Sequence, residues 1–297
     1  MCEGVDRRRF MLAAAVGVAS ALGGCAGARS SGTAAVTPTR PVAGDGSPGS
    51  DPSASVLDPA GALSAGTLAA LQDGPPAMPG PSGPPPMLVD RLPSRAGDTV
   101  ALTVDDGTDS RVVKAYIDLA RATGIRLTFF VTAAYPSWTE HRDDLRPLVD
   151  SGQIQLGNHT WDHPDLRSKS ASDVTSQLNR CETFLNTTFG VTAKPFVRPP
   201  YGFHSAQIDA AAAAAGFRTM VLWLGSFGDS SRLTEDQLLA NARQWLLAQH
   251  VVIGHANLPT VTHLYGQIVD ILRSRSLQTA TLDDVFYGTT GRHRAVR

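Results

Sequence analysis

The chain has 297 residues, and the part with a globular composition is long enough for one domain with a substantial core. Its 26 Lys and Arg residues nearly balance its 27 Asp and Glu residues, and the formal charge of −1 gives no reason to predict nucleic-acid binding. Of its three cysteines, Cys2 and Cys25 lie in the first 25 residues, which are predicted below to be a targeting segment in which Cys25 is lipidated. Cys181 is then left alone, so no disulfide bond is expected.

Residues 1–25 are predicted to be a targeting segment. Arg7, Arg8 and Arg9 precede an apolar run at 12–22, which fits a twin-arginine export signal and is too short to span a bilayer comfortably. The run ends in Leu-Gly-Gly-Cys25, which resembles the bacterial lipobox, where the cysteine is acylated and becomes the mature N-terminus. We therefore expect export and attachment through Cys25 to the outer face of the cytoplasmic membrane. An ordinary cleaved signal with an incidental Cys25 is the alternative.

Residues 26–96 are rich in Gly, Pro, Ser, Ala and Thr and are predicted to form a disordered tether. A flexible coil of about 70 residues has a root-mean-square span on the order of 45–50 Å, which the prolines would extend. Only residues 63–71 have a helical apolar pattern.

Residues 97–288 are predicted to form a single α/β domain, followed by a basic, solvated tail at 289–297. Helical segments include an alanine-rich run at 206–215, capped by Ser205 and ended by Gly216, and a helix that starts with a capping box of Thr234 and Gln237. The alternation of strands and helices predicts a parallel β/α sheet, either open or closed into a barrel. Strands are expected at 99–104, 125–131, 153–156, 195–197, 219–223, 251–253 and 277–280.

Polar residues follow four of these strands directly: Asp105 and Asp106, His159 and His163, Arg198, and His255. In parallel β/α folds, the loops after the strands converge over one edge and carry the active site. His and Asp side chains are common ligands of zinc and similar ions, and a further carboxylate can act as a base. Taken singly, an Asp-Gly pair is often a turn and two histidines are often structural, but their joint placement indicates a metal-dependent hydrolase.

These motifs resemble the polysaccharide deacetylases, also called the NodB-homology or carbohydrate esterase family 4 domain. The resemblance covers about 98–287, and the motifs occur in the family's order. They are Thr-Val-Asp105-Asp106-Gly107, His159-Thr-Trp-Asp-His163, Arg198-Pro-Pro-Tyr201-Gly and Ile-Gly-His255. The resemblance implies a distorted (β/α)7 barrel, which the periodicity alone left open.

The resemblance also implies roles for individual residues. Asp105 would be the general base, positioned by Arg198, and His255 would protonate the departing amine. The backbone N–H of Tyr201 would stabilise the oxyanion, and Trp223 would help to form the substrate pocket. The metal ligands would be Asp106, His159 and His163, holding a divalent ion for which zinc is the first expectation and cobalt or another ion the alternative.

One family element is altered. Where the family usually has Asp-x-x-Asp-Trp, alignment on Trp223 places Ser226 at the first Asp, Asp229 at the second and Ser230 at the Trp. The first Asp normally tunes the catalytic histidine. We therefore expect His255 to lack that carboxylate, with a lowered pKa and an alkaline limb of the pH–rate profile that lies lower than in a Ser226→Asp variant. The alternatives are that Asp229 already fills the role or that the alignment on Trp223 is wrong.

Cys181 and four aromatic residues can each be interpreted as either structural or functional. Cys181 lies on the apolar face of a predicted helix and is expected to be a buried thiol rather than a nucleophile. Four aromatic residues in or near active-edge loops could either stack on sugar rings or simply pack: Trp138, Trp161, Tyr201 and Phe203.

The leading hypothesis is an envelope-anchored N-deacetylase acting on peptidoglycan or another N-acetylglucosamine-containing glycan. O-deacetylation of a polysaccharide by the same site is a second hypothesis, because the chemistry differs mainly in the leaving group. A non-catalytic glycan-binding lipoprotein is a third, suggested by Ser226 and Ser230. The expected partners are the acetylated polysaccharide and, through the lipid anchor only, the membrane; no nucleic acid and no protein partner is predicted.

Overall fold

The computed structural model describes residues 70–78 and 84–288. Within these residues the sheet has nine strands, all paired in parallel. The strands are β1 (Leu88–Val89), β2 (Thr99–Asp106), β3 (Leu127–Val131), β4 (Ile154–Asn158), β5 (Phe196–Val197), β6 (Thr219–Val221), β7 (Gly225–Ser226), β8 (Val251–His255) and β9 (Gln278–Thr279).

Helices cover the sheet, and short 3-10 turns complete the connections. The helices are α1 (Ser110–Thr123), α2 (Ser137–Glu140), α3 (Arg142–Asp150), α4 (Ala171–Phe189), α5 (Ala206–Ala214), α6 (Glu235–Trp245), α7 (Tyr265–Ser274) and α8 (Leu282–Tyr287). None of the helices in the described residues is both long enough and apolar enough to cross a membrane.

The strand order is β1-β6-β5-β4-β3-β2-β8-β7, with β9 paired to the start of β2. This order makes a curled half-barrel in which β2 is an interior strand paired with β3, β8 and β9, and all eight of its residues are buried. Each of the seven predicted strands is present. The two strands that the sequence pattern did not predict, β1 and β7, lie at the edges of the sheet, and each has only two residues.

The predicted helix signals are also confirmed. Ser205 accepts a hydrogen bond from the backbone N–H of Ile208 and caps α5, which ends one residue earlier than expected, before Ala215. Thr234 and Gln237 form the predicted reciprocal capping box of α6. Cys181 is completely buried on α4, and burial raises the pKa of its thiol. These elements therefore form where their local sequence directs them.

The predicted boundary between tether and domain at residue 96 is wrong. Residues 88–89 pair with β6, and Leu92 is buried in a hydrophobic core cluster of the domain. Further upstream, Gln72 is only 8% exposed, and its amide pairs with the backbone of Thr279: Oε1 accepts from the N–H at 2.7 Å, and Nε2 donates to the carbonyl at 3.0 Å. The prediction was based on the average composition of residues 26–96, which does not show that these few residues pack against the domain.

Several predictions concern residues that the structure does not describe. The targeting segment with Cys25, most of the tether and the tail at 289–297 lie outside the described residues. The same holds for the helix expected at 63–71, except for its last two residues, which are not helical.

Candidate active site

The turn after β2 brings two adjacent carboxylates to one cavity. Successive strand residues normally point to opposite faces, but Asp106 has a left-handed backbone with φ of +74°, and Gly107 follows with φ of +101°. A Cβ atom at Gly107 would lie 2.5 Å from the indole of Trp138, so the turn also requires glycine for space. The indole Nε1 donates to the Asp106 carbonyl at 3.1 Å. Trp138 is fully buried and supports this turn, so it packs in the core and is not available to a sugar ring.

Asp106, His159 and His163 form a cluster whose ligand atoms all lie within 4.8 Å of one another. Asp106 Oδ1 is 3.4 Å from His159 Nε2 and 3.3 Å from His163 Nε2. That oxygen is buried and has no hydrogen-bond partner. His159 Nδ1 lies 2.7 Å from the Arg198 carbonyl, which can only accept, so Nδ1 carries a proton and Nε2 faces the carboxylate. The donor set and the unpaired oxygen therefore fit a divalent cation.

The electrostatics of the cluster also favour positive charge between these three residues. Burial opposes ionisation of Asp106, but its interaction with His159, the charge of His163 and the hydrogen bond from Asn257 hold its pKa well below the usual range. Burial likewise lowers the pKa of His159, but Asp105 and Asp106 outweigh that effect and raise it. Burial and the neighbouring His159 together lower the pKa of His163. The cluster therefore favours one positive charge, and protonation of the second imidazole is disfavoured.

The loop that carries both histidines is held in an unusual conformation. Thr160 and His163 have φ of +75° and +60°, a region that costs non-glycine residues about 1–3 kcal/mol each. The Thr160 hydroxyl accepts from the His163 N–H at 3.1 Å, and Gln177 accepts from the Trp161 N–H at 3.0 Å. These contacts fold the loop back, so that two histidines four positions apart reach the same carboxylate.

Arg198 fixes the second carboxylate, Asp105. The guanidinium is fully buried and donates to Asp105 Oδ1 at 2.6 Å. It also donates to the Thr103 hydroxyl at 2.9 Å and to the Val221 carbonyl at 3.0 Å. Burial lowers the pKa of Arg198, while the charge of Asp105 opposes that shift. Because Oδ1 is engaged, Asp105 Oδ2, which is 3.6 Å from His159 Nε2, remains available to the cavity.

His255 is paired with a carboxylate, contrary to the expectation from Ser226. Asp229 Oδ1 lies 2.9 Å from His255 Nδ1, and Oδ2 accepts from the His255 backbone N–H at 3.0 Å. Burial lowers the pKa of His255, but the hydrogen bond to Asp229 and its charge outweigh burial and raise it. Asp229 reaches His255 because the chain turns after β7, where Ser226 Oγ accepts from the Gly228 N–H at 2.9 Å. The predicted lowering of the His255 pKa is therefore wrong.

The cavity at this edge has a volume of about 460 Å³ and brings together all but one of the sequence-predicted site residues that the structure describes; the exception is Arg198, which lies behind Asp105. Its lining residues are Asp105, Asp106, Thr108, Tyr135, His159, His163, Tyr201, Gly202, Trp223, Ser226, Ser230, Ile253, His255 and Asn257. Sequence reasoning missed Tyr135, Thr108 and Asn257, because a single polar or aromatic residue in a loop carries no motif.

The aromatic residues at the cavity differ in their surroundings. Tyr201 has φ of +61°, is 58% exposed, and its ring centroid lies 4.7 Å from that of His163. Phe203 is 6.1 Å from Tyr201. Trp223 packs so closely that a Cβ at Gly202 would lie 2.8 Å from its ring. Trp161 is half-buried beneath the Arg180 guanidinium, at 4.3 Å. Exposed aromatic surface beside the cluster is thus concentrated at Tyr201.

Comparison with known proteins relates this arrangement to one family. Residues 93–220 match the family model described as polysaccharide deacetylase. The chain is 31% identical over 103 residues to a peptidoglycan-N-acetylglucosamine deacetylase of Bacillus cereus, covering 35% of this chain and 36% of that one. It spans about a third to a half of the length of several curated relatives that it matches.

Solved structures share the fold. The chitin deacetylase of Colletotrichum lindemuthianum matches with a TM-score of 0.63 and 21% identity over 72% of this chain and 98% of that chain. A carbohydrate esterase 4 pseudoenzyme from Bacillus anthracis matches with a TM-score of 0.60 and 16% identity, over 69% and 70% of the two chains. The curled parallel sheet is therefore the distorted (β/α)7 barrel that the family resemblance implied.

Proposed function

The folded part of this chain is a polysaccharide deacetylase domain of the NodB-homology type, and from that premise we propose that the protein is a metal-dependent hydrolase that removes N-acetyl groups from an envelope polysaccharide. The observation that carries the proposal is that the Asp106, His159 and His163 cluster shares one cavity with two separately held groups, Asp105 and His255. One is a carboxylate suited to accept a proton, and the other is an imidazole suited to donate one.

The three clustered residues would hold the cation. Asp106 Oδ1, with no hydrogen-bond partner, and the two imidazole nitrogens beside it are the donor atoms. A divalent ion bound there, with zinc as the first candidate and cobalt as the alternative, would polarise the acetyl carbonyl and lower the pKa of a water molecule.

Asp105 acts as the general base in this proposal. Arg198 donates to Oδ1, which leaves Oδ2 to accept the proton of the attacking water. The neighbouring guanidinium also fixes the position of the carboxylate, because it donates to Oδ1 at 2.6 Å. Rotation of Asp105 is restricted because Arg198 is itself held by Thr103 and two backbone carbonyls.

His255 acts as the general acid. Asp229 engages Nδ1, which leaves Nε2 as the nitrogen available to the leaving group in the cavity that His255 lines. The raised pKa of His255 keeps the imidazole protonated to a higher pH than an unpaired histidine. The leaving amine then takes the proton from Nε2, while the backbone N–H of Tyr201 is proposed to stabilise the oxyanion and Trp223 to line the pocket.

Peptidoglycan is the favoured substrate. The relatives include a peptidoglycan-N-acetylglucosamine deacetylase and a peptidoglycan-N-acetylmuramic acid deacetylase. An envelope location through lipidated Cys25, which is also a proposal, would hold the domain next to that polymer. The half-exposed Tyr201 ring beside His163 could provide a surface on which a sugar ring stacks.

The non-catalytic alternative is motivated by Ser226 and Ser230, which stand where the family usually has Asp and Trp. The residues of this chain argue against it, because the base, the acid and the candidate ligands are all present at one cavity. O-deacetylation by the same groups remains the alternative chemistry, since only the leaving group changes.

Acetate release by the full-length protein tests these functions. N-acetylglucosamine oligomers, peptidoglycan and acetylated xylan are assayed with and without a chelator, and Asp105→Asn serves as the inactive control. The proposal expects chelator-sensitive release from the N-acetylated polymers. Release from xylan alone would support the esterase, and binding of glycan without any release would support the non-catalytic protein.

A further inference from the structure

Asn257 joins two loops of the site through its side-chain amide. It lies two residues after His255, in the loop that follows β8. Its Nδ2 donates to Asp106 Oδ2 at 2.6 Å. Its Oδ1 accepts from the Thr108 hydroxyl at 2.8 Å and from the Thr108 backbone N–H at 3.3 Å. The amide thus spans from the turn after β2 to the loop after β8.

The orientation of this amide is fixed by its neighbours. A carboxylate only accepts hydrogen bonds and a backbone N–H only donates them. Turning the amide over would place its oxygen against Asp106 Oδ2 and its NH2 group against the Thr108 N–H. Both contacts would then be repulsive, so the donating nitrogen must face Asp106.

The consequence for Asp106 is that its two oxygens are not equivalent. Oδ2 is engaged by Asn257, whereas Oδ1 is buried, has no hydrogen-bond partner and faces both imidazoles. We propose that Asn257 is a positioning residue for the metal cluster, which holds the Asp106 carboxylate so that a single oxygen is presented to the cation. This inference rests on the proposed function as a metal-dependent enzyme.

The chemistry of the amide suits this role. The base carboxylate, Asp105, is held by the cationic guanidinium of Arg198. A cation in the same position beside Asp106 would repel the metal ion and neutralise the ligand. A neutral amide orients the carboxylate without adding positive charge, and hydrogen bonds to metal ligands of this kind typically contribute about 10- to 100-fold in metal affinity.

Metal affinity of the full-length protein tests the inference independently of turnover. The metal-free protein is titrated with Zn²⁺ in competition with a chromophoric chelator, and the visible spectrum of the Co²⁺-loaded protein is recorded. Asn257→Ala is expected to bind Zn²⁺ about 10- to 100-fold more weakly than wild type and to show changed cobalt bands. Thr108→Val, which removes the hydroxyl but keeps the backbone donor, is expected to show a smaller loss.

Asn186→Ala is the matched control. Its amide donates to the Val191 carbonyl at 2.9 Å and lies outside the cavity, so the substitution should leave zinc affinity unchanged. Wild-type zinc affinity and an unchanged cobalt spectrum in Asn257→Ala would overturn the inference while leaving the proposed function intact. If Asn257→Ala does not fold, an affinity of Thr108→Val equal to wild type would overturn it. Failure of wild type itself to bind zinc or cobalt would overturn both the proposed function and this inference.

Discussion

Asp229 holds His255 at two points, through the imidazole Nδ1 at 2.9 Å and through the backbone N–H at 3.0 Å. The carboxylate is only 2% exposed, so its charge acts on the imidazole with little screening by solvent. The double contact fixes both the ring and the strand end that carries it. His255 therefore has a carboxylate partner, although Ser226 stands where the family usually has Asp.

The first prediction concerns the pH dependence that this pair creates. Asp229 raises the pKa of His255, so activity that needs the protonated imidazole persists up to that raised pKa and is lost above it. Asp229→Asn removes the charge and should move the alkaline limb of the kcat/KM profile to lower pH. The matched variant Ser226→Asp should leave the limb almost in place, since His255 Nδ1 is already occupied. A limb that moves upward in Ser226→Asp but stays fixed in Asp229→Asn would contradict this assignment.

A second prediction separates the base from the ligands. Asp105→Asn should keep full metal content and lose about 10²- to 10⁴-fold in turnover, because an amide cannot accept the proton of water. Metal content is measured by elemental analysis and turnover by acetate release. Near wild-type kcat/KM in a metal-replete variant would show that Asp105 is not the base.

The third prediction concerns the cluster itself. Asp106→Ala, His159→Ala and His163→Ala should each lower metal occupancy, because three protein ligands are the usual number in catalytic zinc sites. Asn186→Ala provides the control for metal lost during purification, because the hydrogen bonds of its side-chain amide lie outside the cavity. Full occupancy in all three ligand variants, determined by elemental analysis, would place the metal elsewhere.

A fourth prediction tests the upstream segment that packs on the domain. Gln72 makes two hydrogen bonds to the backbone of Thr279, and Thr279 Oγ1 adds a third at 2.8 Å. Gln72→Ala leaves these buried backbone groups unpaired and should destabilise the protein by about 1–3 kcal/mol. Urea unfolding measures the change. The exposed neighbour Asp73→Ala is the control, and equal stability of the two variants would mean that the Gln72 contacts are dispensable.

The fifth prediction concerns attachment. Cys25→Ala should release the protein from the membrane fraction without changing acetate release, because lipidation concerns attachment alone. Stable anchoring requires more than a single acyl chain, as one chain binds only marginally. Cell fractionation measures the distribution, and a variant that stays wholly in membranes would refute lipidation at Cys25.

Much of the fold was predictable because the interior strands are apolar runs that begin and end at clear signals. Residues 99–104 and 125–131 are continuous enough to be recognised, and their carboxyl ends place the polar residues at one edge. The edge strands β1 and β7 were not predictable, since two residues carry no periodicity. Closure toward a barrel depends on long-range curvature and came only from the family resemblance.

The site was predictable where ordered motifs carried it and unpredictable where single side chains complete it. Asn257 contacts Asp106 across 151 positions of sequence, a distance at which no local pattern operates. The burial of Trp138 beneath Gly107 likewise depends on how α2 packs against the turn. The pairing of Asp229 with His255 reflects a loop path that spacing from Trp223 did not reveal.

The contact between Gln72 and Thr279 also determines which part of the domain would first feel a mechanical force applied to the chain upstream of residue 70. Residues 71 and 72 bond to the Thr123 carbonyl just before β3 begins, and Thr279 pairs with the start of β2. Both contacts lie at the amino ends of the strands, whereas the cavity lies at their carboxyl ends. A pulling force applied upstream of residue 70 would therefore act first on the side of the domain that lies opposite the cavity. The hydrogen bonds of residues 71 and 72 would therefore bear that force before the cavity is deformed.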